Sequence, residues 1–175
     1  MFRILFLLGI MISGIGVAVQ KLDLKIQVET DKDLWLSAHN AERALYPVEP
    51  LKWDYELEET AMHWAKELTK NCKPLRHSPY RGDIGENLAG SSGRVHPVTT
   101  PVEWWVKEKK WFNYEKNECN APSGRSCGHW RQIVSKRSIY VGCAKAVCSG
   151  SGNKTFYVCQ YKPHGNMNVG TTKPY

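Results

Sequence analysis

Cys127-Gly128-His129-Trp130-Arg131-Gln132-Ile133-Val134 sets a histidine between a cysteine and a short amphipathic run. Gly128 frees the backbone at the turn before it. Trp130, Ile133 and Val134 can bury themselves and so hold His129 in place. Further along, Phe156-Tyr157-Val158-Cys159-Gln160-Tyr161-Lys162-Pro163-His164-Gly165-Asn166 again gathers aromatic residues around a cysteine.

These two stretches resemble the two signatures of the CAP superfamily, which joins cysteine-rich secretory proteins, antigen 5 and pathogenesis-related protein 1. The second matches at every defining position. The first departs twice, with Arg131 in place of a small hydroxyl residue and Ser135 in place of tryptophan. Phe112-Asn113-Tyr114, with Asn117 and Cys119, resembles the plant pathogenesis-related 1 branch. The fold implied is α+β: a three-layer α-β-α sandwich stapled by three disulfides, over residues 29–175.

The pattern outside the signatures agrees with a mixed fold. Residues 31–45 read as a helix with Leu34, Trp35, Ala38, Ala41 and Leu45 on one face. It carries His39-Asn40-Ala41-Glu42-Arg43, which resembles the family's first helix, and Pro47 and Pro50 stop it. Asp54 is placed to cap a second helix with the stripe Leu57, Ala61, Trp64, Ala65 and Leu68. Residues 72–98 are rich in Gly, Pro and Ser and read as irregular. Thr100-Pro101-Val102-Glu103 has the form of a capping box for a helix carrying Trp104, Trp105, Glu108, Trp111 and Phe112. Residues 138–146 and 155–161 read as strands joined by a turn at 149–153. Helices and strands mix without a βαβ repeat.

The chain opens with Arg3, an apolar run over residues 4–12, and the small residues Gly14, Gly16 and Ala18. That layout predicts a secretory signal peptide over residues 1–18, cut after Ala18. The run is shorter than the ~20 residues a membrane-spanning helix needs. Residues 19–28, with strict alternation beginning at Leu22, form an N-terminal arm ahead of the domain. The net charge of +7 favours anionic membranes and wall polymers as partners. No nucleic-acid-binding motif accompanies it. The protein is expected to be secreted, extracellular and monomeric.

All six cysteines, at 72, 119, 127, 143, 148 and 159, follow the predicted cut. In an oxidising compartment they suggest three disulfides, for which sequence alone leaves about 15 connectivities. The resemblance implies Cys72–Cys148, Cys119–Cys127 and Cys143–Cys159. Asn153-Lys154-Thr155 fits a glycosylation acceptor.

Glu108 stands between Trp104 and Trp111 at helical spacing, so its carboxylate is not expected to be freely solvated. The resemblance aligns His77, Glu86, Glu108 and His129 with the family's cavity-lining histidines and glutamates. Three readings of the tetrad are open: a self-satisfied polar cluster, a divalent-metal site such as zinc, and a metal- or Glu-activated water for hydrolysis. No Gly-x-Ser-x-Gly or His-Glu-x-x-His motif accompanies the last. Ser78 reads as a local hydrogen-bonder, and His39, His63, His96 and His164 have no matching partners. By resemblance, Trp111, Phe112 and Tyr114 near the Cys119–Cys127 loop are candidate lipid contacts.

The expectation is a secreted, non-enzymatic defence protein that binds sterol or another lipid, with no obligatory cofactor. The alternatives are an extracellular metal-dependent hydrolase and a precursor whose tail, residues 163–175, is released as a signalling peptide. Lys162 departs from the acidic residue usual before that tail.

Overall fold

A computed structural model describes residues 29–79, 82–148, 153–166 and 172–175. The expected signal peptide, the arm at 19–28, most of the 149–153 turn and residues 167–171 lie outside the described residues.

Helix α1 (Asp31–Arg43) starts at a capping box that sequence reading overlooked. Thr30 Oγ1 accepts from Asp33 N, and Asp33 Oδ2 accepts from Thr30 N at 3.1 Å. Its inward face is Trp35, His39, Glu42 and Arg43 rather than the expected apolar stripe, and the helix stops before Leu45, which is 66% exposed. Polar residues can take that face because their groups are satisfied. Arg43 donates to the carbonyls of Glu49, Ile133, Ser135 and Ser138.

Strand β1 (Lys52–Trp53) leads into α2 (Tyr55–Thr69), whose Asp54 cap accepts from Glu56 N and Leu57 N. Its buried stripe is Leu57, Ala61, Trp64, Ala65 and Leu68, as the 3.6-residue period predicts. Each large apolar member contributes about 1.5–3 kcal/mol by burial.

Strand β2 (Gly85–Ser91) occupies part of the stretch expected to be irregular. The polar residues Glu86 and Asn87 hide it from a periodicity argument. Helix α3 (Thr99–Val106) begins two residues earlier than expected and has no side-chain cap. Thr100 N donates to Pro97 O instead, so Thr100 lies inside the first turn. The helix does not run on to Phe112: from Lys107 to Trp111 it tightens into a 3-10 turn that carries Glu108. Strands β3 (Phe112–Asn113) and β4 (Glu118–Cys119) make a small hairpin, and α4 (Gly128–Ile133) follows.

Strands β5 (Tyr140–Cys148) and β6 (Lys154–Lys162) complete a four-stranded sheet in the order β1-β5-β6-β2. β1 pairs parallel to β5, and the other pairings are antiparallel. Alternation along β6 sorts the two cores. Tyr157, Cys159 and Tyr161 pack with Trp35, Trp105, Trp130 and Ile133 of α1, α3 and α4. Phe156 and Val158 pack with Ala61, Trp64 and Leu68 of α2. The result is an α-β-α sandwich. At Gly142 of β5 an added Cβ would lie 2.2 Å from Glu58 N, so only glycine lets the start of α2 come this close.

Three disulfides staple the domain: Cys72–Cys148, Cys119–Cys127 and Cys143–Cys159. The last joins directly opposed residues of β5 and β6. The C-terminal residues return to the body. Lys136 N donates to Pro174 O at 2.8 Å, and Arg131 Nη2 donates to Thr172 O at 3.0 Å. The Tyr175 ring stacks near Tyr114 and Tyr46, at centroid distances of 4.6 and 4.4 Å. Both departures from the first signature meet this returning chain: Arg131 at Thr172, and Ser135 through a bond to Gly165 O. A Cβ added at Gly165 would lie 2.6 Å from Ser135 Cβ, so the returning chain needs glycine there.

Candidate metal-binding cavity

His129 lies on the first turn of α4, which Cys127 fails to cap with a side-chain bond. Glu108, brought over by the 3-10 turn, does that work. Its Oε2 accepts from His129 N at 2.9 Å and Trp130 N at 3.3 Å, and its Oε1 meets His129 Nδ1 at 2.7 Å. A carboxylate at exposed helix N–H groups is favourable. In the neutral ring a carboxylate acceptor places the proton on Nδ1 and leaves the lone pair on Nε2.

The second pair repeats this arrangement on different elements. His77, from the loop after α2, meets Glu86 Oε1 of β2 through Nδ1 at 2.7 Å. Glu86 also accepts from Ser78 N and from Gln160 Nε2, both at 3.0 Å. Gln160 is set in turn by Thr60 of α2. Burial pushes the Glu86 carboxyl up, but the bonds from His77, Gln160 and Ser78 outweigh it and hold the group below its ordinary value. The side chains of Glu86 and Glu108 are 0% and 13% exposed, whereas those of His77 and His129 are 48% and 31% exposed. Orienting carboxylates are thus inside and imidazoles are accessible.

His77, Glu86 and His129 line one cavity of about 250 Å³, with Asn87, Gln132 and His164 among its other walls. Asn87 donates to His129 O and Tyr161 Oη, while its buried Oδ1 has no partner among the described residues. An imidazole pair with buried carboxylates behind it, beside an orphaned carbonyl oxygen, fits a divalent ion. All four carboxylate oxygens already accept protein donors. They are therefore suited to orienting rings rather than to taking a proton from water.

Sequence reading missed two things here. His164 lies within the second signature and was expected to have no matching partners, yet the chain after β6 brings it to the cavity wall. His39 is fully buried and structural: Nδ1 donates to Trp35 O at 2.7 Å, and Nε2 accepts from Tyr161 Oη at 2.8 Å. His39 also lies near the sulfurs of Cys143 and Cys159, but those sulfurs are bonded to each other and both ring nitrogens are engaged, so the group is no metal site.

The three candidate lipid contacts have different surroundings. Phe112 packs on Trp130 and under Arg131, and Tyr114, 37% exposed, stacks with Tyr175 beside Lys173. Trp111 faces an open cleft. Asn153 is exposed, but the Thr155 hydroxyl of the same acceptor triplet is buried in β6.

The cysteine-rich secretory protein family model, CAP, matches residues 36–161. The chain belongs to this family. Among CAP proteins it is similar to pathogenesis-related protein 1A of Nicotiana tabacum, 41% identical over 134 residues that cover 75% of this chain and 74% of that one. It is also similar to pathogenesis-related protein 1 of Arabidopsis thaliana, 37% identical over 173 residues, 99% and 96% of the two chains. None of these names carries an enzymatic activity. Of solved structures, NaASP2 with Zn2+ superposes with a TM-score of 0.64 at 26% identity, covering 87% of this CAP chain and 88% of that one. Venom allergen-like protein 4 of Schistosoma mansoni gives 0.55 at 25% identity, over 82% and 89%.

Proposed function

We propose that this CAP protein is an extracellular binding protein that holds a divalent metal, zinc by the chemistry of its donors, between His77 and His129. The observation that carries the reading is the pair of imidazoles lining one cavity, each held at Nδ1 by a carboxylate, with Nε2 free of hydrogen bonds among the described residues. Two nitrogen donors suit a borderline ion and leave coordination positions for an external ligand. NaASP2, a fold relative, was solved with Zn2+. Three disulfides and the pathogenesis-related relatives support an extracellular setting for a defence role. Titration calorimetry with Zn2+ tests the site. Wild type should bind, Glu108→Gln should bind about 10–100-fold more weakly, and His77→Ala/His129→Ala should not bind. Affinity should fall on acidification, because imidazole ligands must be neutral. Equal affinity in wild type and the double variant would refute the reading.

A second observation favours sterol or other lipid binding at a separate place. An apolar groove of about 340 Å³ runs between α1 and α3, walled by Ala38, Ala41, Val102 and Val106. Apolar burial there supplies about 25 cal/mol per Å² before ordering costs. A labelled sterol should bind wild type and lose affinity in Val106→Asp; undiminished binding would take the groove out of consideration.

A further inference from the structure

We infer that the open cleft beside the metal cavity is a binding site for an acidic oligosaccharide, a chain of uronate-type sugars. The cleft encloses about 540 Å³, and Trp104, Trp111, Lys107, Lys110 and Arg125 line it. That volume lies in the ~300–1,000 Å³ range of ligand sites.

The lysines stand on the 3-10 turn Lys107–Trp111. Side chains three residues apart eclipse in a 3-10 turn, so Lys107 and Lys110 share one edge, about 6 Å apart along its axis. Arg125 comes from the loop closed by the Cys119–Cys127 disulfide. Gly124, at φ 75°, takes the left-handed turn inside it, and Arg125 N donates back to Pro122 O. The loop is thus held before any ligand arrives, which lowers the ordering cost of binding.

Lys110 Nζ lies over the Trp111 ring, 4.7 Å from its centroid, but no carboxylate among the described residues takes up these cations. Lys109, between the two lysines, pairs with Glu42, but Lys107, Lys110 and Arg125 enter no ion pair among the described residues. The cleft's one carboxylate, Glu108, is occupied by His129 and Trp130. Three cations against one carboxylate make the field in the cleft positive, and its walls concentrate that field.

The tryptophans add the second half of the recognition. Indole N–H groups of Trp53, Trp64, Trp105 and Trp130 donate to protein acceptors. Those of Trp104 and Trp111 donate to none among the described residues, and both rings are half-buried at the cleft. Flat aromatic faces stack on the C–H faces of sugar rings, and their N–H groups can donate to hydroxyls. A polymer with one carboxylate per sugar ring meets both the ladder of cations and the aromatic floor. Ser126 and His129 border both the cleft and the metal cavity, so the sites adjoin, but the cations and indoles act without a metal.

The test uses the full secreted chain in EDTA at low salt, titrated with an unesterified galacturonate oligomer and with its fully methyl-esterified counterpart. The unesterified oligomer should bind at least 10-fold more tightly, and its affinity should fall as salt rises. Lys107→Gln/Lys110→Gln/Arg125→Gln should lose at least 10-fold, with an unchanged thermal transition because all three side chains are exposed. Trp111→Ala should weaken binding at every salt concentration. Equal affinity for the esterified oligomer, or full affinity in the triple variant, would overturn the inference. So would loss of all binding in EDTA, which would assign the sugar to the metal cavity. Phosphatidylserine vesicles that bind the protein when the oligomer does not would overturn it in favour of a lipid surface.

Discussion

Acidification should weaken the fold through His39. This ring is buried among Trp35, Trp105 and Tyr161, and burial, with the Arg43 charge adding to it, lowers its pKa from 6.5 to about 4 against the opposing bond to Trp35 O. In the unfolded chain the same imidazole titrates near its ordinary value of ~6.5. Between these values the unfolded state takes up a proton that the folded state refuses, so stability is present in full above pH ~6.5 and is lost as pH falls toward ~4. At 1.36 kcal/mol per pKa unit, the whole interval is worth about 3 kcal/mol, and the part between pH 7 and 4.5 about 2 kcal/mol. The perturbation is His39→Gln, which keeps a polar side chain that does not titrate here. Urea unfolding at the two pH values, with disulfides intact, gives the free energies. The other histidines and the low-lying Glu86 carboxyl are common to both proteins and cancel in the comparison. Wild type should lose about 2 kcal/mol more than His39→Gln over this interval. Equal losses in the two proteins would refute the assignment of His39 as a buried neutral imidazole.

Arg43→Leu should remove about 3 kcal/mol or more, because the carbonyls of Glu49, Ile133, Ser135 and Ser138 lose their donor and at ~1–3 kcal/mol each need not all find water. A loss under about 1 kcal/mol by urea unfolding would show that they are resolvated. Tyr175→Ala should cost about 1–2 kcal/mol and lower the thermal midpoint, since its half-buried ring packs on Tyr46, Tyr114 and Trp130. An unchanged midpoint would mean that the terminal ring contributes nothing to the body.

Period and punctuation in the sequence determined the elements whose buried faces are apolar. The α2 stripe and the Asp54 cap follow from residue type and spacing alone, and so do β5 and β6 to within two residues at each end. The inward face of α1 did not follow, because His39, Glu42 and Arg43 read as a solvent face until their partners, up to 122 residues away, come into contact. β2 stayed hidden for the same reason: Glu86 and Asn87 are core residues only because Gln160, His77, Tyr161 and His129 O meet them. Cysteine count implied three bridges, but composition left their pairing open; family resemblance chose one, and the strand register opposes Cys143 to Cys159. The tetrad was legible only through resemblance. Four residues on four separate segments carry no local signal, and tertiary structure alone shows that each glutamate takes one histidine by Nδ1. The cation-and-indole cleft likewise arises only from folding. Its charge depends on which lysines find a carboxylate, and among the described residues the 3-10 turn sets Lys109 against Glu42 of α1 while Lys107 and Lys110 enter no ion pair.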